Sequence, residues 1–444
     1  MKEGARQFPD SPYIVRYSGF EQIVYPSSCL DEVKALGPSQ ASLMEYCAHC
    51  FFEGWALLGR EIGALHGILG IDLARSLPAR IHERQTVTKA AFDKVVGNCA
   101  DWKSIRLYPS VQRLVASING AGLLGPDVGS RPQWLNTFDM FIYSLMFALF
   151  SLNPSPRFIR PLFKYVAFAP NYLLYWRLKQ IAKPVAERDL RTYHDAVAAG
   201  QTKPNNDNPS IGVWLAARYK PAERTVGKLA HDFIVTMFES MPTTSCTLYF
   251  ILSDLALRPQ VADELRTEIN ANLVDGKLPM TSLGELRKMD SFMREVTWTK
   301  VFSYMGVFRR TLKPIQLSIG PQVPAGAVIC VDSYNIANSK ERWGDPETFN
   351  SERFHALRQE PGHESRHQFA SLDSDSASWG GGPQACPGRF FAENSIKIFL
   401  THSILNYDIK FPDGVGKPVA GTMPNGSVMP DLMASILIRE RSKT

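Results

Sequence analysis

The strongest constraint in this chain is a helical pattern over residues 224–257 that is apolar around its whole circumference. Phe233, Ile234, Val235, Met237 and Phe238 are followed by Leu248, Tyr249, Phe250, Ile251 and Leu252, so no face is reserved for water. A helix of this kind must be surrounded by other elements, which demands a large domain with a helical core. Pro242 lies in the middle of the pattern. Proline lacks an amide donor and clashes with the carbonyl four residues back, so the sequence predicts a kink or break there.

Apolar residues also recur at spacings of three and four over residues 57–77, 87–96, 111–124, 134–152 and 173–185, and two further helices are expected at 259–272 and 283–302. The body is therefore mainly α. Short extended pieces at 13–15 and 22–25 flank Ser18-Gly19, and strand-like pieces at 306–312, 315–319 and 327–332 are punctuated by glycine and proline. These predict small β-sheets beside the helices. Residues 200–210 are polar and rich in proline and asparagine, the composition of a surface loop or hinge.

With 45% hydrophobic and 21% charged residues over 444 positions, the chain has enough apolar material for a large core. Its 49 Lys+Arg against 43 Asp+Glu leave a net charge of +6 with no basic run, which argues against nucleic acid as a partner. Seven cysteines, an odd number without a secretory leader, predict reduced thiols in an intracellular compartment rather than a disulfide framework. Cys47-Ala-His-Cys50 has no second pair at zinc spacing and reads as part of an amphipathic helix. No uninterrupted apolar run reaches the roughly 18 to 20 residues of a spanning helix. Residues 140–152 are expected to form a buried core helix. The aromatic stretch 158–176 suits core packing better than a membrane interface, because Arg160, Pro161, Lys164 and Pro170 interrupt it.

Chemistry concentrates in Trp379-Gly-Gly-Gly-Pro-Gln-Ala-Cys386-Pro-Gly388-Arg389, immediately before a helical stretch. Glycines allow tight turns and a close backbone approach to a flat ligand. A cysteine at a helix N-terminus has its thiolate favoured by the dipole and free amides, which suits a soft metal centre such as heme iron.

The segment resembles the F-G-x-G-x-H-x-C-x-G heme-binding signature of the cytochrome P450 superfamily, and its CPGRFFA is typical of fungal members. Trp379 stands at the signature's phenylalanine, Gly380 and Gly382 at its glycines, Gln384 at its usual histidine or arginine, and Gly388 at its last glycine. The resemblance extends to Asp345–Phe349 with Arg353-Phe354 (the meander), Pro324-Ala-Gly326, residues 286–295 (the K helix) and the Gly125-Pro126 to Trp134 region. It implies the P450 fold over 1–444 as one domain. A small β-rich part spans about 1–35, a helical body about 36–305, hairpins, meander and heme-binding loop about 306–400, and a β/loop tail about 401–444. It also implies heme b held by Cys386 as the metal ligand, and Arg310 as a propionate partner. NADPH electrons would arrive through a cytochrome P450 reductase. The substrate would be a hydrophobic small molecule of fungal secondary metabolism, a terpenoid, alkaloid or polyketide. The match begins at the first small sheet, so the expectation is a monomer that is cytoplasmic as given, or associated with the endoplasmic reticulum membrane if an anchor was trimmed, with room for peripheral membrane contact.

Three departures qualify the resemblance. The family's E-x-x-R reads Glu295-Val-Thr-Trp298, so Glu295 can pair with Arg353 while Trp298 fills the volume of the missing arginine. The oxygen-activation motif reads Glu239-Ser240-Met241-Pro242-Thr243-Thr244, with proline where an acid or histidine delivers protons. Glu239 lies one turn earlier on roughly the same side, a candidate substitute acid beside Thr243 and Thr244. Finally, Gly70 occupies the place of a basic propionate partner, a role that His66 is the candidate to take. The main expectation is an oxidation or monooxygenation. A redox-deficient P450 fold carrying out a cyclisation, cycloaddition or isomerisation is the alternative, and a non-catalytic binding relative the third.

Overall fold

The computed structural model describes residues 2–17, 20–52, 55–58, 63–152, 155–156, 158–201, 210–299, 304–373, 376–415, 421–422 and 428–442. Ser18-Gly19, most of the polar loop (202–209) and the end of the helix expected at 283–302 lie outside them. The helices that frame the site are α1 (Leu43–Cys50), α2 (Leu73–Val95), α3 (Leu107–Leu124), α4 (Pro132–Leu152), α5 (Arg160–Ala198), α6 (Val226–Leu257), α7 (Arg287–Thr299) and α8 (Arg389–Asn406). The strands are β1 (Tyr13–Tyr17), β2 (Phe20–Tyr25), β3 (Ala41–Ser42), β4 (Lys103–Arg106), β5 (Met305–Thr311), β6 (Val328–Asp332), β7 (Tyr407–Lys410), β8 (Gly421–Thr422), β9 (Val428–Met429) and β10 (Ser435–Glu440).

α6 is the axis of the fold, as its all-round apolar pattern requires. Phe233, Ile234, Leu248, Tyr249 and Ile251 are all almost fully buried against α3, α5 and their neighbours, and each large side chain contributes roughly 1.5–3 kcal/mol by leaving water. Thr225 starts the helix by accepting the Lys228 amide at 3.2 Å. The expected break at Pro242 does not occur: α6 runs unbroken for 32 residues. Packing over the rest of its surface holds it through the lost amide bond. Nearby hydroxyls turn back onto the helix, Ser240 Oγ donating to the Met237 carbonyl (3.3 Å) and Thr243 Oγ1 to the Glu239 carbonyl (3.0 Å).

Burial overrides proline elsewhere as well. α2 continues through Pro78, and α5 spans 39 residues through Pro170 and Pro184, where the sequence predicts shorter pieces. β1, β2, β6, β5 and β3 form a five-stranded sheet in that order, with β2 and β6 parallel and the other neighbours antiparallel. β4, β10 and β7 form a second sheet, and β8 pairs with β9. The strand expected at 315–319 is reduced to one bridge, Ile315 to Val323, because Pro314, Pro321 and Pro324 cannot donate to a ladder.

The aromatic stretch before residue 176 departs in part from the core packing expected of it. The stretch 158–176 packs into the core on one side only: Ala167, Phe168 and Leu174 are buried, but Phe158 is 81% exposed and Leu162 78%, and Tyr165, Val166, Leu173 and Trp176 are also exposed. α4 is likewise two-faced. Phe138, Phe141, Leu145 and Ala148 are buried, but Met140, Tyr143, Phe147 and Phe150 face outward. Periodicity identifies an apolar stripe without saying whether protein covers it.

Candidate active site

Cys386 lies at the end of the glycine-rich loop, three residues before α8. Its amide donates to the Trp379 carbonyl at 2.9 Å and closes the loop. Gly380 and Gly382 have φ of +71° and +58°, and a side chain on Gly382 would overlap the Lys34 carbonyl oxygen, so the loop can press against the segment before α1 only with glycine there. Trp379 Nε1 donates to the Phe369 carbonyl at 2.6 Å. Gln384 accepts from the Leu43 amide (2.8 Å) and donates to the Leu36 and Ala41 carbonyls (2.9 and 2.8 Å). Its side chain is thereby committed to clamping the loop onto the start of α1. No atom lies within 4 Å of where a Cβ on Gly388 would stand.

Burial pushes the Cys386 thiol above its ordinary range. The Gly388 amide opposes this, the charge of Glu239 reinforces it, and the Arg389 guanidinium and amide pull the other way. The same Glu239 charge reaches Cys47 on α1, whose thiol burial pushes up to about 12. The Cys386 loop, α1 and α6 are therefore near enough for the Glu239 charge to act on both thiols.

Within the stretch of α6 from Asp232 to Leu255, Glu239 and Thr243 are the exposed residues, one turn apart and flanked by partly buried Pro242 and Cys246. Thr244 points away and is buried. The arrangement puts a carboxylate and one hydroxyl on the exposed side of the helix and leaves the second threonine in the core.

The neighbours Arg309 and Arg310 on β5 differ in the same way. Arg310 is partly buried and pairs in register with Ser42 and Val328. Arg309 is only 1% exposed; Nη1 donates to its neighbour's carbonyl, Phe308 O, at 2.8 Å, while Nε and Nη2 have no hydrogen-bond partner among the described residues. Burial lowers its pKa to about 10, and Cys47 is the charge that opposes this. Sequence reading singled out Arg310. Strand alternation could have found Arg309, since β5 buries every second residue from Met305 through Thr311.

Behind the loop, Glu295 on α7 accepts from Arg353 Nε at 3.0 Å and from the Asn350 amide at 2.9 Å. Burial raises the Glu295 pKa, and those two donors oppose it. Arg353 also donates to the carbonyls of Trp343, Asp345 and Thr348 and sits 5.1 Å over the Trp298 ring. Trp298 packs against Trp343 and Phe354. The missing arginine is thus replaced by an aromatic cluster with a cation on its face. Nearby, buried Lys397 on α8 bridges Asp290 of α7 (2.9 Å) and Glu393 (2.7 Å). Arg84 of α2 donates to Asn394 and Ser395 of α8. Neither cation was singled out from sequence. His66 lies on a short helix, Gly63–Gly67, and is exposed, whereas Gly70 is the residue that abuts Pro387 next to Cys386.

The cytochrome P450 family model matches residues 104–438. The chain is 39% identical to the cytochrome P450 monooxygenase ffsD of Aspergillus flavipes, over 99% of this chain and 83% of that one. It is 35% identical to the pyrichalasin C-18 hydroxylase of Pyricularia grisea, over 100% of this chain and 83% of that one. Among solved structures, a retinoic-acid-bound cyanobacterial CYP120A1 superposes with a TM-score of 0.72 at 16% identity, covering 99% and 94% of the two chains. The chain belongs to the cytochrome P450 superfamily. It is a monooxygenase of the fungal secondary-metabolism type whose cofactor is heme with a thiolate-ligated iron, fed by NADPH electrons through a reductase, and its substrate is hydrophobic. The non-oxidative and non-catalytic alternatives have no counterpart in the names of these relatives. The residues present fit the group. Cys386 offers sulfur at a helix N-terminus, the loop's glycines permit a close planar approach, and the unpartnered nitrogens of buried Arg309 call for an anion of the kind a propionate supplies.

Proposed function

We propose that this enzyme hydroxylates a hydrophobic secondary metabolite at a C–H bond, with Cys386 as the thiolate that would hold the heme iron, Arg309 rather than Arg310 as the buried propionate partner, and Glu239 with Thr243 as the proton-handling pair. The observation that carries the reading is the placement of Glu239 and Thr243 on the one exposed stripe of the middle of α6, within electrostatic reach of Cys386. Bound heme supplies the activation of dioxygen. The chain's part is to exclude water with the apolar walls of α6 and to deliver protons. Pro242 has no side-chain donor or acceptor, so the Glu239 carboxylate is the nearest group on that face able to hold and release a proton. Thr243 Oγ1 spends its hydrogen on the Glu239 carbonyl, which leaves its oxygen lone pairs to accept from a water in the cleft. Similarity to a pyrichalasin C-18 hydroxylase supports hydroxylation at a single carbon of such a metabolite. The remaining residues of the signature, Trp379, Gly380, Gly382, Gln384 and Gly388, shape the loop, and Glu295, Arg353 and Trp298 brace it from behind. His66 is assigned no role in this reading. The enzyme works as a single domain at the surface of the endoplasmic reticulum membrane, where a membrane-bound reductase reaches it.

The test pairs two variants. Cys386→Ala is expected to lose the thiolate-type carbon monoxide band of the reduced protein. Glu239→Gln is expected to keep that band while product per NADPH falls about tenfold or more, within the usual range of general acid–base contributions, and peroxide release rises. Unchanged coupling in Glu239→Gln would remove the residue from the proton path.

A further inference from the structure

Between α2, α7 and α8 lies a cavity of about 410 Å³, within the range of small-molecule sites. None of its lining residues belongs to α1 or α6, the helices that carry Cys47 and Glu239. Part of the lining is apolar: Leu77 of α2, Met280 and Leu283 of a short helix before α7, and the Phe390 ring at the start of α8, which is 40% exposed. The rest is ionic and polar. Asp290, Arg358, Asn394 and Lys397 all line the cavity and are all more than nine-tenths buried. Lys397 is fully committed, since Nζ holds Asp290 and Glu393 and also donates to the Leu283 carbonyl at 3.0 Å. Arg358 is held loosely, with Nη1 3.5 Å from Asp290 Oδ2 and Nε 3.4 Å from the Glu364 carbonyl. The Gln368 side-chain amide and the Thr281 hydroxyl, also in the lining, form no hydrogen bond among the described residues.

Charge identifies the ligand. Directly behind Asn394, buried Arg84 donates to Asn394 Oδ1 and Ser395 Oγ, and no carboxylate pairs with it among the described residues. Its neighbour Glu83 pairs instead with Arg80, at 3.6 Å. Burial pulls the Arg84 pKa down to about 9, and the Arg80 charge adds to this while Glu83 opposes it. The cavity and its backing therefore set three cations, Arg84, Arg358 and Lys397, against two carboxylates, Asp290 and Glu393. An interior surplus of one positive charge favours a single negative charge on the occupant, whereas a dianion would overshoot it. The apolar lining asks for a hydrophobic body on the same molecule.

We propose that this cavity is a second small-molecule site, for an amphipathic monoanion: a carboxylate on a flat apolar body. The body lies among Leu77, Met280, Leu283 and Phe390, and the carboxylate meets Arg358, Gln368 and Thr281. The site is independent of the hydroxylation assigned to the heme side. Its occupant ties α2 and α7 to the first two turns of α8, the helix that continues from the Cys386 loop.

The experiment is equilibrium dialysis of the purified holoenzyme against 1-naphthoate and its neutral counterpart 1-naphthalenemethanol. Saturating 4-phenylimidazole, an azole that ligates heme iron, keeps both probes from the heme side. One naphthoate per chain is expected, bound about tenfold or more tighter than the alcohol. Thr281→Glu, a change at an exposed lining residue, is expected to weaken naphthoate about tenfold and leave the alcohol unchanged. Ala74→Trp, which fills the cavity from α2, is expected to abolish the binding of both. Naphthoate is also expected to raise the thermal midpoint of the parent and not that of Ala74→Trp. Equal affinity for the two probes, insensitive to Thr281→Glu, would overturn the assignment to an anion. Naphthoate binding that neither substitution changes, or no binding at all, would overturn the site.

Discussion

Arg309 places a guanidinium in the protein interior with two nitrogens unpaired, an arrangement that costs several kcal/mol unless an anion meets it. Arg309→Leu is therefore expected to lower heme retained per polypeptide several-fold after gel filtration, read from the Soret-to-280 nm ratio, with the apoprotein no less stable. Arg310→Leu is expected to leave that ratio near the parent value; a reversed pattern would return the role to Arg310. The pair also marks what was legible at this scale. Cys386 and its glycines stand out in sequence because the spacing itself is the signal. Choosing between adjacent arginines needs the phase of the strand, which the alternate burial of Met305, Val307, Arg309 and Thr311 fixes once β5 is in place. Glu239 was recognisable by its turn-spacing from Pro242, while the inward turn of Thr244 required the packing around α6.

At the scale of elements, α8 is tied to α7 by Lys397, the cation between buried Asp290 and partly buried Glu393. Burial works against the charged form of this lysine, but Asp290 and Glu393 outweigh it and raise the pKa. Removing the lysine leaves two acids facing each other in the interior. Lys397→Met is expected to destabilise the protein by about 3–5 kcal/mol, measured as a shift in denaturant midpoint, with heme loss following because α8 begins at the cysteine loop. The helices themselves were legible where burial is uniform, as in α6. They were misjudged where prolines look like breakers, since α2 and α5 keep their course through Pro78, Pro170 and Pro184 by packing that no local window contains.

For the whole molecule, the second sheet and α8 meet at His402, whose ring is tilted against Phe92 and meets Tyr407 edge-on. Burial lowers its pKa from 6.5 to about 4, with Asp93 opposing. The unfolded chain thus takes up a proton between those values that the folded chain refuses. The associated stability is complete above pH 6.5 and drains away as pH falls toward 4. His402→Gln is expected to flatten that part of the thermal-midpoint profile against pH; an unchanged slope would place the acid sensitivity elsewhere. The fold class was legible because a 444-residue chain with an all-apolar central helix and a glycine-framed cysteine admits few architectures. The outward stripes of α4 and α5 were not, because hydrophobic period looks the same whether protein or another phase covers it.

The cluster of Trp298, Trp343 and Phe354 changes the physics of the brace behind the heme-binding loop. Where a second arginine would have bound by charge, this chain holds by ring contact, and the attraction between apolar surfaces weakens on cooling. The grip on the loop is therefore tuned to warmth: it should loosen first toward low temperature, in a part of the molecule where an ionic lattice would have been largely indifferent to the cold.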